Sequence, residues 1–160
     1  LSQAGMDLFV NDLRTNERVT GAAMQTIEKQ KDTRFLIFVH FAEPDRSGHA
    51  YGEGSTEYRD AIKLNDASTG AIIAQLKDLG LYERTLVYVV SEHGFDVGGK
   101  NHLDAPYVFC ATNDGKVKRG GDRADIAPTI LKRFGVDLGR IDPRLSGVPL
   151  DVVPTSSMGR

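Results

Sequence analysis

The chain has 160 residues, 40% of them apolar and 26% charged, with a formal net charge of −2. That is the make-up of an ordinary globular protein, and it supplies no electrostatic field to draw in nucleic acid or an anionic membrane surface. No apolar run approaches the ~18 residues needed to span a bilayer, and the lone cysteine, Cys110, excludes an internal disulfide. Leu1 stands where an initiator Met would, and no charged-then-apolar leader follows it. Residues 1–160 are expected to form one domain, and the start at Leu1 predicts a processed product, an excised domain or an incomplete piece.

Residues 16–31 are predicted as a helix, with Asn16 as N-cap and Val19, Ala23, Met24 and Ile27 at helical spacing. The nearly unbroken apolar run 34–41 predicts a strand covered on both faces, as in a parallel sheet. A loop over 43–54 follows, rich in Gly, Pro and Asp. Ser55 then caps a long helix over 56–79, with Tyr58, Ile62, Ala67, Ile72, Ile73 and Leu76 as its core stripe and Gly80 as its stop. Two further buried strands are predicted at 85–90 and 106–111, the second near an edge because of Pro106. A last helix opens at Asp122 or Asp125, carries Ile126, Ile130, Leu131 and Phe134, and ends at Gly135. Pro128 fits in its first turn. The tail beyond Val136 is punctuated by Pro and Gly, and 156–160 are expected to fray.

Strands alternating with helices predict an α/β fold, a mainly parallel sheet with flanking helices. Ligands bind such sheets outside the carboxyl ends of the strands. Asp45 and His49 follow the first predicted strand, and Glu92-His93 follows the second. His102 lies in a loop opened by Gly98 and Gly99. Three of the four histidines and two carboxylates thus come to one edge of the predicted sheet. Carboxylate oxygen and imidazole nitrogen suit divalent ions. Asp45, His49 and His102 suit one ion, and Glu92 and His93 a second close by. His40, inside the first predicted strand, and Cys110, inside the third, are expected to be buried and inert. Lys100, Asn101 and Arg46 are expected in solvated loops, and 116–119 as a charged turn.

The strings His40–Gly52, Ser91–Phe95 and Gly98–His102, together with Asp66, Asp125–Ile130 and Ser146–Leu150, resemble the alkaline phosphatase superfamily. The branches most alike are the type I phosphodiesterase/nucleotide pyrophosphatases and the sulfatase-like hydrolases. The resemblance covers roughly 34 to 150 and implies an alkaline-phosphatase-like fold lacking its N-terminal half. It also implies two divalent metal ions, zinc first and manganese second, and a phosphate-ester substrate. Phosphodiester or nucleotide-like compounds are favoured. By that resemblance Asp45, His49 and His102 hold one metal, and Glu92 with His93 part of the other. The family's usual residue at position 92 is Asp, so Glu92 carries an extra methylene. The Thr, Ser or modified Cys nucleophile belongs to the family's upstream half and has no match before Asp45. The alternatives are a sulfatase of the same superfamily, or a non-catalytic metal-binding or structural half-domain. A sheet missing its neighbouring strands also predicts association through an exposed edge.

Overall fold

A computed structural model describes residues 5–153, so the predicted fraying of 156–160 lies outside the described residues. The described chain forms two compact units. The first comprises residues 5–86 with His93–Tyr107; the second comprises Val87–Glu92 with residues 108–153.

In the first unit, α1 (Asn16–Gln30) packs on α3 (Thr56–Asp78), and the short α2 (Asp45–Tyr51) packs on the same helix. The N-cap of α1 is Thr15, whose hydroxyl accepts from Arg18 N. Asn16, predicted for that role, is instead buried and donates to Asn65 Oδ1 of α3. Asn65 in turn donates to the Glu43 carbonyl, so two amides tie both long helices to the segment leading into α2. Ala23 and Ile27 of α1 and Ala61 and Leu76 of α3 are among the few buried apolar side chains. Ser55 caps α3 as predicted, accepting from Tyr58 N, and Gly80 follows its end with φ +66°. The stripe of α3 runs through Tyr58, Ala61, Asn65, Ser68, Ile72 and Leu76, whereas Ile62 and Ala67 point to solvent. The apolar content of the sequence favoured Ile62. The observed i, i+3, i+7 positions instead place small and polar side chains, Ala61 and Ser68, where the helices approach.

The run 34–41 forms no strand among the described residues. Phe35, Ile37 and Val39 are half-buried, while Leu36 (64% exposed) and Phe38 (69% exposed) face solvent. The burial alternates with period two, as in a strand with one covered face. The continuous apolar run had predicted two covered faces. His40 falls on the open face and is exposed, not buried.

The second unit holds the sheet: β1 (Tyr88–Val90) and β2 (Cys110–Thr112), antiparallel, with Val89 opposite Ala111. Among the described residues the fold is thus α/β, with four α-helices and one small antiparallel pair. The mainly parallel sheet predicted from three buried strands is not present among the described residues. Two of its three predicted strands supply only five paired residues, 88–90 and 110–111, and those pair in the opposite sense. Cys110, expected to be buried, is exposed.

Helix α4 (Ile126–Arg133) enters through a single 3-10 turn, Arg123–Asp125, with Asp122 as its cap. Asp125 is buried and accepts from Asp122 N, Val148 N and Arg119 Nη1. Burial alone would raise the pKa of Asp125, but these three donors hold it below the ordinary carboxylate value. Arg119, expected in a solvated turn, also donates to the carbonyls of Val148 and Val152 and is only 18% exposed. The segments 125–130 and 146–150 are therefore locked together by backbone and side chain, with Thr129 Oγ1 accepting from Leu150 N at 2.8 Å. No helix among the described residues is long and apolar enough to cross a membrane.

Candidate metal centre

Asp45 and His49 lie on α2, not in the loop predicted for 43–54. Glu43 braces the first turn of that helix. Its carboxylate accepts from Ser47 N at 3.1 Å and from Ser47 Oγ at 2.8 Å, satisfying a donor of the first turn. Spacing of i, i+4 then sets Asp45 and His49 on one face, with His49 Nε2 3.4 Å from Asp45 Oδ1.

His102 arrives on a loop built around Asp96. The Asp96 carboxylate accepts from Leu103 N at 3.2 Å and from Asp104 N at 2.8 Å, gripping the chain immediately after His102. Asp96 N donates to Asn101 O at 2.9 Å and Gly99 N donates to Asp96 O at 2.8 Å, which closes the loop on itself. Gly98 permits the turn with φ +69°. The loop is fastened to the end of α2: Lys100 Nζ donates to Ala50 O at 2.7 Å, Glu53 N to Gly99 O at 2.9 Å, and Gly98 N to Glu53 Oε2 at 3.2 Å. Lys100 is thus a structural tie and not a free cation. Asp96, Glu43 and Glu53 were not singled out from the sequence. Only a carboxylate beside a glycine-rich loop signals such a brace, and that pattern is too common to single them out.

The result is a cluster in which one donor atom from each of Asp45, His49 and His102 lies within 4.8 Å of the others. His93 joins it, with Nε2 3.7 Å from Asp45 Oδ1 and its ring stacked on that of His102 at 3.8 Å between centroids. The nitrogens are pre-assigned. His49 Nδ1 is 2.7 Å from the Lys100 carbonyl and His93 Nδ1 is 3.0 Å from the Gly94 carbonyl. A carbonyl can only accept, so each Nδ1 carries a proton, and in the neutral ring the Nε2 lone pair is the one turned to the cluster.

The donor set fits a divalent ion. Zinc–ligand bonds of about 2.0–2.1 Å place two ligands of a tetrahedral ion roughly 3.3 Å apart, close to the 3.4 Å between Asp45 Oδ1 and His49 Nε2. Asp45 Oδ1 is moreover buried with no hydrogen-bond partner. A buried carboxylate oxygen without a donor is costly, and an ion is the partner that would relieve it. Glu92 belongs to the second unit; it is exposed, and its backbone carbonyl accepts from Arg123 Nη1 at 2.6 Å.

The chain belongs to the type I phosphodiesterase / nucleotide pyrophosphatase family, whose sequence model matches residues 3–146. This lies within the alkaline phosphatase superfamily. The chain is 35% identical to rat (Rattus norvegicus) steryl-sulfatase over 89 residues, covering 51% of this chain and 15% of that protein. It is 33% identical over 78 residues to human (Homo sapiens) ectonucleotide pyrophosphatase/phosphodiesterase family member 1, covering 48% and 8%. It is 30% identical over 145 residues to the 2,3-bisphosphoglycerate-independent phosphoglycerate mutase of Roseobacter denitrificans, covering 82% and 27%. The chain thus spans less than a third of the length of each of these relatives.

Proposed function

We propose that this chain is the C-terminal, metal-binding portion of a hydrolase of phosphate esters, with phosphodiester or nucleotide-like substrates favoured. The observation that carries the reading is the buried, unpartnered Asp45 Oδ1 facing the free Nε2 atoms of His49 and His93. In this reading Asp45, His49 and His102 hold one divalent ion, and Glu92 and His93 belong to a second. Zinc suits mixed oxygen and nitrogen donors best, with manganese next. Bound there, the ions would stabilise charge on phosphoryl oxygens and favour the ionised form of a hydroxyl nucleophile. The chain's own residues orient the site: Lys100 and Gly94 fix the proton on each Nδ1, and Asp96 holds His102 in place. None of the clustered side chains is itself the attacking group, which this reading takes from elsewhere in the enzyme. The substrate is a small molecule, and no feature calls for nucleic acid.

The test has two arms. The chain purified without chelator is expected to retain zinc or manganese by elemental analysis and to lose it in Asp45→Ala and His102→Ala. Unchanged metal content in both variants would defeat the ligand assignment. The full-length protein is expected to cleave a chromogenic phosphodiester, with turnover abolished in His49→Ala. The similarity to steryl-sulfatase supports a second reading, a sulfatase of the same superfamily. Preferential cleavage of an aryl sulfate would establish that reading and overturn the first.

A further inference from the structure

Phe95 donates to no ion and to no hydrogen bond, yet the rings of the cluster are packed around it. Its centroid lies 5.2 Å from that of His49, 5.7 Å from His102 and 6.0 Å from His93, with interplanar angles of 71°, 89° and 70°. Tyr58 closes a fourth side at 5.3 Å and 70°. All four contacts have the edge-to-face geometry that aromatic rings prefer. The tip of the Phe95 ring stands on Gly48. A Cβ built at that glycine would fall 2.6 Å from Cε2, 2.8 Å from Cε1 and nearer still to Cζ. Gly48 is buried in the middle of α2, between the two ligands that the helix contributes. Glycine weakens a helix relative to alanine, and the seating of this ring accounts for its presence.

We infer that Phe95, seated on Gly48, is the positioning residue of the cluster: it sets the planes of His49, His93 and His102 so that their nitrogens face Asp45 before an ion arrives. The inference rests on the metal-site reading and deepens it. His49 is 43% exposed and lies on a helix of only two turns. An imidazole so open explores several rotamers unless something holds it. Apparent affinity falls in proportion to the fraction of the protein that is competent to bind. A ring that touches all three imidazoles raises that fraction for all of them together.

The experiment compares wild type, Phe95→Leu, Gly48→Ala and the double variant by two readouts. In the metal-free chain, the imidazole proton signals of His49, His93 and His102 should be dispersed by the ring current of Phe95 and should collapse together in Phe95→Leu. Zinc affinity, measured by competition with a chromophoric chelator, should fall about tenfold in Phe95→Leu and similarly in Gly48→Ala, if roughly one chain in ten stays competent. The double variant should lose little more than either single one, because both changes break the same contact. Phe95→Tyr should fail to restore affinity, since its hydroxyl would be driven into Gly48. Wild-type affinity and dispersed signals in Phe95→Leu would overturn the proposal, as would strictly additive losses. Should Phe95→Leu not fold, Gly48→Ala carries the test, because it displaces the ring without removing it. A wild-type chain that bound no zinc would defeat the metal reading, while the imidazole signals would still decide whether Phe95 orders the rings.

Discussion

The Nδ1 of His49 lies 2.7 Å from the carbonyl oxygen of Lys100, and this hydrogen bond decides which nitrogen of His49 faces Asp45. It joins a helix to a loop some fifty residues further along the chain. The same loop delivers His102, so the contact that orients one proposed ligand also anchors the segment that brings another. Oriented ligands and the brace behind them form one unit, and such supporting contacts commonly matter to a metal site almost as much as the ligands do.

Asp96→Ala is accordingly expected to lower zinc affinity by about 10–100-fold while leaving all the proposed ligands in place. Its carboxylate accepts from the two backbone amides that follow His102, so its loss frees the loop without removing a donor atom. Chelator competition on the variant checks this. An affinity equal to wild type would show that the loop holds its shape without the carboxylate.

Acid should destabilise the second unit in a particular way. Asp114 is buried beside Arg133, which also pairs with Asp151. Burial opposes ionisation of Asp114 and Asp151, but their hydrogen-bonded partners outweigh it and hold both carboxyls, like Asp125, below the ordinary 3.8. The folded state therefore binds fewer protons than the unfolded chain in this range. The resulting stability is complete above the unfolded pKa and is lost as the pH falls through the lower folded values. The thermal midpoint should drop as the pH is taken from about 5 to about 2. Asp114→Asn should flatten that slope, and an unchanged slope would exclude the network as its source. At neutral pH the same variant should cost about 3 kcal/mol, because it deprives a largely buried Arg133 of a charged partner.

Gly147→Ala should also destabilise the second unit, by about 1–3 kcal/mol. A Cβ there would collide with the Ala124 carbonyl and lie 2.7 Å from Asp125 N, backbone atoms of the turn that opens α4. Chemical denaturation checks it, and a neutral result would mean that the turn shifts at no cost.

The exposed apolar face of 34–41, with Leu36 and Phe38 open to solvent, should make the isolated chain self-associate. Light scattering on a sizing column should show species above 17.5 kDa. Leu36→Lys with Phe38→Lys should shift the population toward monomer. A wild-type chain that ran as a monodisperse monomer would count against association through this apolar face.

What the sequence determined by itself was the local chemistry. The extent and caps of α3, the opening of α4 and the donor types offered by Asp45 and His49 one helical turn apart follow from residue type at short spacing, where helix geometry leaves few alternatives. The family resemblance was legible for the same reason, because its motifs are runs of a few residues. Tertiary structure decided the rest. Whether 34–41 pairs with neighbours depends on strands that no local signal supplies, so a run read as buried has one open face, and the sheet is a short antiparallel pair. The gathering of ligands by Glu43, Asp96 and Lys100, and the seating of Phe95 on Gly48, join residues from four to about fifty positions apart. Such contacts exist only once the chain has closed on itself, because the spacing of residues along a sequence says nothing about which backbone carbonyl a side chain will meet.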